Sequence, residues 1–236
     1  MHERHIENGF EPVSSRVTIS DGVYQQLRDA LTVGRFDPGQ VLTIRSLADT
    51  FGTSQMPVRE ALRRLGAENA LEMASNGSAC VPSISVERLD DIRNARVALE
   101  GLATEQAAER IRPSELPELE RLMLAHESIR AAGDVYEMLM KNRDFHFAIY
   151  RASRSEVLVQ LIDTLWLRYG PYMRALSSYI APRLETGLHE PFSEHHHAIL
   201  DALKAGDAAA ARRHTVADID GTHALLRQLC VNEAVA

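Results

Sequence analysis

The strongest constraint on the fold is the way turn signals divide residues 19–82. Apolar residues recur there at the spacing of an α-helix in three short segments, near 19–33, 44–51 and 54–66. Proline and glycine separate these segments, and Asn76-Gly77 after them is a strong hairpin signal. Ser54 is expected to cap the third helix. The order of helix, helix, turn, helix and hairpin predicts a winged helix-turn-helix, which we assign to residues 16–82.

The rest of the chain has the pattern of a helical bundle. A linker at 83–85 is followed by six predicted helices, near 86–111, 114–132, 134–152, 155–169, 190–205 and 207–230. Gly170-Pro171 is expected to end the fourth of them, and residues 171–190 hold further helix breakers. No segment has the two-residue period of a strand, and no glycine-rich phosphate loop is present. The expected fold is mostly α: a winged helix-turn-helix, then an all-α domain at 86–232.

Composition narrows the class of protein. The hydrophobic share of 45% is ordinary for a globular chain, and no apolar run reaches the ~18 residues of a membrane span. The polar stretch 1–15 has no signal-peptide pattern and is expected to be a flexible tail. Cys80 and Cys230 are too few and too far apart for a disulfide framework or a cysteine zinc cluster. We therefore expect a cytoplasmic protein without a membrane partner.

The charge is unevenly distributed. The net charge is -7, but residues 16–82 carry seven arginines and seven acids. Within 54–66, Arg59, Arg63 and Arg64 stand against a single acid, Glu60. A basic stripe on one helix can serve DNA even in an acidic chain. The alternative is an ordinary solvated helix face.

Residues 20–82 resemble the DNA-binding domain of the GntR regulators. The matching segments are Gly34–Leu42, Leu47-Ala48 and Pro57–Leu65, the last of which begins Pro-Val-Arg-Glu-Ala-Leu. The resemblance implies a homodimer that reads a palindromic operator in double-stranded DNA, because one short helix reads only a half-site.

A recognition helix presents its first residues to the base edges of the major groove. Here Arg59 can contact guanine, Gln55 adenine and Met56 a thymine methyl group. The alternatives are an ion pair of Arg59 with Glu60 or a neighbouring helix, and core packing of Met56. Gln55 and Met56 depart from the Arg and Thr usual in the family, which puts the usual operator in doubt. The candidate DNA-binding set is Arg45, Ser54, Gln55, Met56, Arg59, Arg63 and Gly77.

Histidine spacing suggests a second site. Asn142 and His146 are four residues apart and share a helical face. If the chain reverses at Gly206, His196 and Asp218 lie about 15 and 18 Å from the turn and can converge. His214, one turn before Asp218, is a rival ligand.

Residues 86–230 resemble the FCD effector domain of the FadR-type branch of GntR regulators. The matching residues are Arg96–Glu100, Asn142 with Phe145-His146, His196 with Ala198–Leu200, and Gly206-Asp207. Many members bind a divalent metal through one Asp and three His, and a small carboxylate completes the shell. Carried over by position, the metal ligands are Asn142, His146, His196 and Asp218.

Two of these four ligands depart from the family. An Asp has become Asn142 and a His has become Asp218, so the summed ligand charge is unchanged, which favours a rearranged site over a decayed one. Zn, Mn, Ni or Fe suits such ligands. The alternatives are a metal-free polar pocket, or solvated His195 and His197 beside one core histidine.

The carboxylate of an effector also needs a cation. Arg96 is a candidate effector-binding residue, and an ion pair with Glu100 is the alternative. We therefore expect a ligand-responsive regulator, a repressor by family resemblance, that senses a small organic acid. A metal-dependent enzyme, a direct metal sensor and a metal-free acyl-CoA pocket are the other hypotheses. No nucleophile is paired with the histidines, so catalysis is not expected.

Overall fold

The computed structural model describes residues 19–75, 77–132, 134–185 and 194–233. The predicted tail at 1–15, Asn76 of the hairpin signal and the predicted start of a helix at residue 190 lie outside the described residues.

Residues 19–81, which we call the winged unit, form three helices and three short strands. The helices are α1 (Ile19–Thr32), α2 (Ile44–Phe51) and α3 (Gln55–Ala67), and the strands are β1 (Val41–Leu42), β2 (Glu72–Met73) and β3 (Ala79–Cys80). The strand β3 lies in the centre and is antiparallel to both neighbours, with Val41 opposite Cys80 and Met73 opposite Ala79. The predicted winged helix-turn-helix is confirmed.

Local chemistry explains where these helices begin and end. The Thr43 hydroxyl accepts a hydrogen bond from the Ser46 amide at the start of α2. Gly52 ends α2 in the left-handed conformation, at φ 61°. Ser54 occupies the N-cap position of α3, but its side chain makes no capping hydrogen bond, so the expected cap is wrong. The residue is exposed to solvent.

Residues 86–185 and 194–233, which we call the helical unit, are all α. The helices are α4 (Val86–Arg110), α5 (Leu116–Ala132, after a 3₁₀ turn at Pro113–Glu115), α6 (Val135–Ala152), α7 (Glu156–Glu185), α8 (Glu194–Ala205) and α9 (Ala208–Glu233). Ser85 caps α4 by accepting a hydrogen bond from the Arg88 amide. Gly206, at φ +66°, reverses the chain between α8 and α9, as predicted.

The predicted helix break at Gly170-Pro171 is wrong. The helix α7 runs without interruption through Pro171 and Pro182 to Glu185. Proline removes one helical hydrogen bond and crowds the preceding turn. Packing against the winged unit on one side and the helical core on the other outweighs that local preference. None of the helices in the described ranges is long and apolar enough to cross a membrane.

The buried side chains form three clusters. One fills the winged unit, one fills the bundle around Phe145, Tyr150 and Ile162, and one lies at the other end of the bundle around Tyr172 and Leu226. The helix α7 contributes to all three clusters. Leu167, only 1% exposed, belongs to the cluster of the winged unit.

Candidate metal centre and nucleic-acid interface

A small cavity lies inside the helical unit between α4, α5, α6, α7 and α9. It encloses about 60 Å³. Its polar lining residues are Arg96, His126, Asn142, His146, Trp166, Tyr169, Asp218 and Thr222. Its apolar lining residues are Met138, Leu139, Met173, Leu176, Ile180 and Ile219. One cavity therefore combines titratable groups with an aliphatic wall.

Two histidines and one aspartate converge beside this cavity, and two of the three, His146 and Asp218, line it. His146 on α6 and His196 on α8 bring their Nε2 atoms to 3.2 Å of each other. The carboxylate of Asp218 on α9 lies 3.5 Å from His146 Nε2 and 3.6 Å from His196 Nε2. Three different helices thus place three donor groups within 4.8 Å of one another.

The spacing of these donors suits a divalent metal ion. Two imidazole nitrogens bound at about 2.0–2.1 Å to one tetrahedral ion lie roughly 3.3 Å apart. Two histidines and one carboxylate are also a ligand set that leaves coordination positions open for a further ligand. By donor type and spacing, the side chains of this chain fit such an ion.

Of the other two predicted ligands, one lies at the cavity and one does not. Asn142 lines the same cavity, one helical turn before His146. His214 belongs neither to the described lining of the cavity nor to the cluster of three donors. Of the neighbours of His196, His197 is exposed and bonds to Glu127 at 2.7 Å, whereas His195 is half-buried and acts electrostatically on Asp218. Of the three consecutive histidines 195–197, His196 in the middle is only 1% exposed and belongs to the site.

Behind the donors lies a buried ion pair. Glu100, which is fully buried, accepts hydrogen bonds from Arg96 Nε at 2.6 Å and Nη2 at 3.2 Å. It also accepts from the Tyr150 hydroxyl at 2.6 Å and from Trp166 Nε1 at 3.1 Å. The guanidinium lies over the rings of Trp166 and Tyr169, at 5.0 and 4.5 Å. The pair with Glu100 is thus present, and Arg96 lines the cavity as well.

This ion pair is connected to the donor cluster through Tyr150. Because the Tyr150 hydroxyl donates its proton to Glu100, its oxygen is left to accept from His146 Nδ1, which lies 3.4 Å away. A proton on Nδ1 leaves the lone pair of His146 on Nε2, the atom that faces His196 and Asp218. Tyr150 therefore sets the tautomer that a metal ligand needs.

The charges of the site follow from burial. Burial, with smaller contributions from His196, Arg96 and His126, holds the pKa of His146 well below its usual value, so the imidazole is neutral. Burial raises the pKa of the Asp218 carboxyl to about 7, although Arg96 and His195 act to lower it. At neutral pH the site thus offers a neutral ring and a carboxyl that ionises readily beside a cation.

Sequence reasoning missed His126. It is 3% exposed on α5, lines the cavity, and its Nδ1 lies 3.1 Å from the Met138 carbonyl oxygen. Its ring meets that of His196 edge to face, with centroids 5.3 Å apart. Leu119, Leu122 and Met123 precede it at helical spacing, so its place in an apolar stripe was the signal of a buried histidine.

The predicted DNA-binding residues belong to α2, to α3 and to turns of the winged unit. The side chains of Arg45, Ser54, Gln55, Met56, Arg59 and Arg63 are all exposed. Met56 is 70% exposed, which contradicts the alternative of core packing. No described residue forms an ion pair with Arg59, and its neighbour Glu60 accepts a hydrogen bond from Ser20 instead. Gly77 lies at the wing with φ +84°.

Arg64, part of the basic stripe in the sequence, contacts α1 instead. It bonds to Asp21 at 2.7 Å and lies 3.8 Å above the ring of Tyr24. It therefore fastens α3 to α1. The remaining exposed arginines of α3 are Arg59 and Arg63.

Two protein families match the chain. The family described as bacterial regulatory proteins, gntR family, matches residues 19–81. The FCD domain matches residues 91–221, more than half of the chain. The two matches follow one another in the order that the fold shows.

Whole-length relatives and structures agree with these matches. The HTH-type transcriptional regulator McbR of Escherichia coli K12 is 36% identical over 203 residues, covering 86% of this chain and 90% of that protein. The Uxu operon regulator of Haemophilus influenzae is 28% identical over 224 residues, covering 89% and 81%. The solved structure of E. coli McbR/YncC matches with a TM-score of 0.83 and 33% identity, over 90% of this chain and 99% of that one. A GntR structure from Rhodococcus sp. RHA1, 22% identical with a TM-score of 0.72 over 88% and 96% of the chains, shows the shared fold.

Proposed function

The chain belongs to the GntR family of bacterial transcriptional regulators and carries an FCD domain, and on that premise we propose that it senses a small carboxylate through a metal-containing cavity. It is a regulator and not an enzyme, in agreement with its named relatives. The observation that carries the proposal is the convergence of His146, His196 and Asp218, because His146 and Asp218 line a cavity that Arg96 also lines.

The proposal divides the work between two domains. Residues 16–82 bind operator DNA, and residues 86–232 bind the effector. Residues 83–85 are the linker between these two domains. Two copies act together, because a single recognition helix covers only one half-site. Leu161 and Val157, which are exposed one turn apart on α7, offer an apolar surface for the second copy. Such a protein works in the cytoplasm, beside the chromosome.

The DNA-reading surface is the exposed start of α3. Arg59 and Gln55 are placed to read bases in the major groove, and Met56 supplies an apolar contact. The phosphates of the DNA backbone are contacted by Arg45, Arg63, Ser54 and the backbone at Gly77. Exposure of all these side chains and the lack of a described ion pair at Arg59 support this assignment.

The metal would be held by His146, His196 and Asp218, with Asn142 as the further ligand that family position suggests. When bound, the ion supplies positive charge and an open coordination position for a carboxylate oxygen. The chain's own contribution is to fix this geometry: Tyr150 orients His146, and Glu100 holds Arg96 in the cavity wall. Zn, Mn, Ni and Fe all suit these donors.

The cavity also restricts the effector. A volume of about 60 Å³ admits only a few atoms beyond the ion, since one water needs roughly 10–15 Å³ of such space. This size argues against an acyl-CoA. Six of the described lining residues are apolar, with Met138, Met173 and Ile180 among them. A short carboxylate with an apolar body fits this wall better than a sugar acid, whose hydroxyl groups would lose their hydrogen bonds to water.

Elemental analysis by mass spectrometry tests the metal site. We expect near-stoichiometric metal in the protein purified without chelator and its loss in the His146→Ala/His196→Ala double variant. The matched control is His197→Ala/His214→Ala, which removes two histidines outside the cluster of three donors. Equal metal content in the two double variants, or none in the wild type, would refute the assigned ligands.

The effector class is tested by the melting temperature of the metal-loaded protein. Butanoate is expected to stabilise the fold more than gluconate at the same concentration. A ligand at 100 times its Kd adds about 2.7 kcal/mol, which is several degrees for a chain of this size. A larger effect of gluconate would contradict the apolar wall as the selective element. A response of operator affinity to metal alone, with no carboxylate effect, would favour a direct metal sensor.

A further inference from the structure

The helix α7 carries two stripes of residues on different sides. One stripe lines the cavity, at Trp166, Tyr169, Met173, Leu176 and Ile180. The other faces the winged unit, at Asp163, Leu167, Gly170 and Arg174. Spacings of three and four residues keep each stripe on one face of the helix. Any displacement of α7 by the contents of the cavity therefore also moves the surface on which the winged unit rests.

The two units touch backbone to backbone at a pair of glycines. A Cβ atom at Gly170 would lie 2.1 Å from the carbonyl oxygen of Leu31, at the end of α1. A Cβ atom at Gly34 would lie 2.3 Å from the backbone nitrogen of Arg174. Both distances are shorter than any side chain tolerates. With no side-chain layer between them, α1 cannot slide freely along α7.

Asp163 connects three helices beside this contact. One carboxylate oxygen accepts from Arg28 of α1 at 2.7 Å, and the other accepts from Arg143 of α6 at 2.7 Å. Arg28 is only 7% exposed, so its charge depends on this partner. Arg143 directly follows Asn142 of the cavity wall. The carboxylate thus links the helix of two candidate metal ligands to the winged unit.

The connection continues to the recognition helix. Arg28 Nε lies 3.7 Å from Glu68, the residue that caps the C-terminus of α3. Glu68 also accepts the hydroxyl proton of Tyr24 at 2.6 Å, and Arg64 of α3 lies over the Tyr24 ring. The helices α1 and α3 are therefore fastened to each other, and both follow the position of α7.

We propose that α7 couples the cavity to the DNA-reading surface. The winged unit rests on α7 through the close backbone contacts of Gly34 with Arg174 and of Gly170 with Leu31 and through the Asp163 bridge, so that occupancy of the cavity shifts the placement of α3. This inference rests on the proposed function and names how the effector site regulates DNA binding. Because coupling between two sites is reciprocal, DNA binding must in turn change the cavity.

The only tryptophan of the chain reports this reciprocal effect. Trp166 lines the cavity and donates to Glu100, so its fluorescence responds to a movement of α7. The probe is a DNA duplex that the full-length protein selects from a randomised library. Anisotropy of the labelled duplex measures binding, and the emission of Trp166, excited selectively, is recorded at saturating duplex. We expect the emission maximum of the wild type to shift.

Two variants interrupt the connection, and each has a matched control. Gly170→Ala forces apart the two backbones, whereas Gly22→Ala adds a methyl group to α1 where nothing lies within 4 Å. Asp163→Asn removes the charge between Arg28 and Arg143, whereas Asp144→Asn changes an acid whose described ion pair is with Lys141 alone. We expect both test variants to bind the duplex but to lose most of the Trp166 shift, and both controls to keep it.

The outcomes separate the coupling from the proposed function. Saturable DNA binding with an unchanged Trp166 emission in the wild type would overturn the coupling. A full shift in Asp163→Asn would also overturn it, and this variant decides the question alone if Gly170→Ala does not fold. If anisotropy shows no binding to any duplex, the proposed DNA-binding function itself fails, and the coupling fails with it.

Discussion

Glu100 is the residue on which the buried polar network depends. Four donors on Arg96, Tyr150 and Trp166 point at one carboxylate with no exposure to solvent. Burial opposes the charged form of Arg96, but the charge and hydrogen bonds of Glu100, together with Tyr169 and Tyr150, outweigh it and raise the pKa of the guanidinium. The guanidinium therefore stays charged beside Glu100, and the network can orient His146.

The role of Tyr150 can be isolated by removing one hydroxyl group. Tyr150→Phe keeps the Arg96–Glu100 pair but removes the acceptor of the His146 Nδ1 proton. Metal affinity is expected to fall about 10–100-fold, as measured by competition with a chromogenic chelator. Tyr172→Phe is the control, because it loses a hydroxyl bonded to the Ser85 carbonyl outside the cavity lining. Equal metal affinity in the two variants would contradict the orienting role.

Metal affinity is expected to depend on pH through Asp218. Its carboxyl has a pKa of about 7 and must lose a proton to bind an ion, whereas His146 is already neutral. Because Asp218 must lose its proton, metal affinity should fall about tenfold for each pH unit below pH 7. Above pH 7 the carboxyl is already ionised, so it should no longer change the affinity. Titration calorimetry at several pH values measures the slope. A slope that persists unchanged in Asp218→Asn would assign the proton to another group.

Some of these residues were predictable and others were not. The meeting of His196 and Asp218 follows from counting residues on both sides of Gly206, since the rise of a helix is constant. The connection of Tyr150 to Glu100 spans 50 residues between helices whose packing no local pattern specifies. His126 was visible only as a polar residue in an apolar stripe, which does not say what the ring faces.

At the scale of elements, α3 shows how a basic stripe divides into two roles. Arg64 fastens the helix to α1, and Arg59 and Arg63 remain exposed. The spacing alone gave all three the same interpretation. What separated them was the position of Asp21 and Tyr24 on another helix.

The exposed half of this stripe gives a direct prediction. Arg59→Ala should weaken binding to the selected duplex by about 1–3 kcal/mol, the worth of one bidentate base contact. Its circular dichroism melt should stay unchanged, because Arg59 makes no described ion pair. Arg121→Ala, on the exposed surface of α5, should leave DNA affinity intact. Undiminished affinity of Arg59→Ala would place the recognition surface elsewhere.

The helix α7 shows where local rules are overridden. Gly170 and Pro171 are both unfavourable inside a helix, and the sequence therefore predicts an end there. Gly170 is required instead by the approach of Leu31. The glycine that predicts a helix end in the sequence is thus a contact between the winged unit and the helical unit in the folded molecule.

At the scale of the whole molecule, the two units share a core. Leu167→Ala, a change within the helical unit, should destabilise the winged unit by about 2–5 kcal/mol. Hydrogen exchange should quicken at the amides of α1 and α3. Leu203→Ala, equally buried but in the cluster of the helical unit, is the control. Faster exchange confined to the helical unit in both variants would show that Leu167 does not support the winged unit.

This shared core also has a consequence for synthesis. The ribosome completes the winged unit at Val81 but adds Leu167 only later, on the order of ten seconds at ~5–20 residues per second. During that interval, the apolar surface of the nascent winged unit that α7 later covers is exposed to solvent. We therefore expect a gene fragment that stops at the linker to yield an aggregation-prone product.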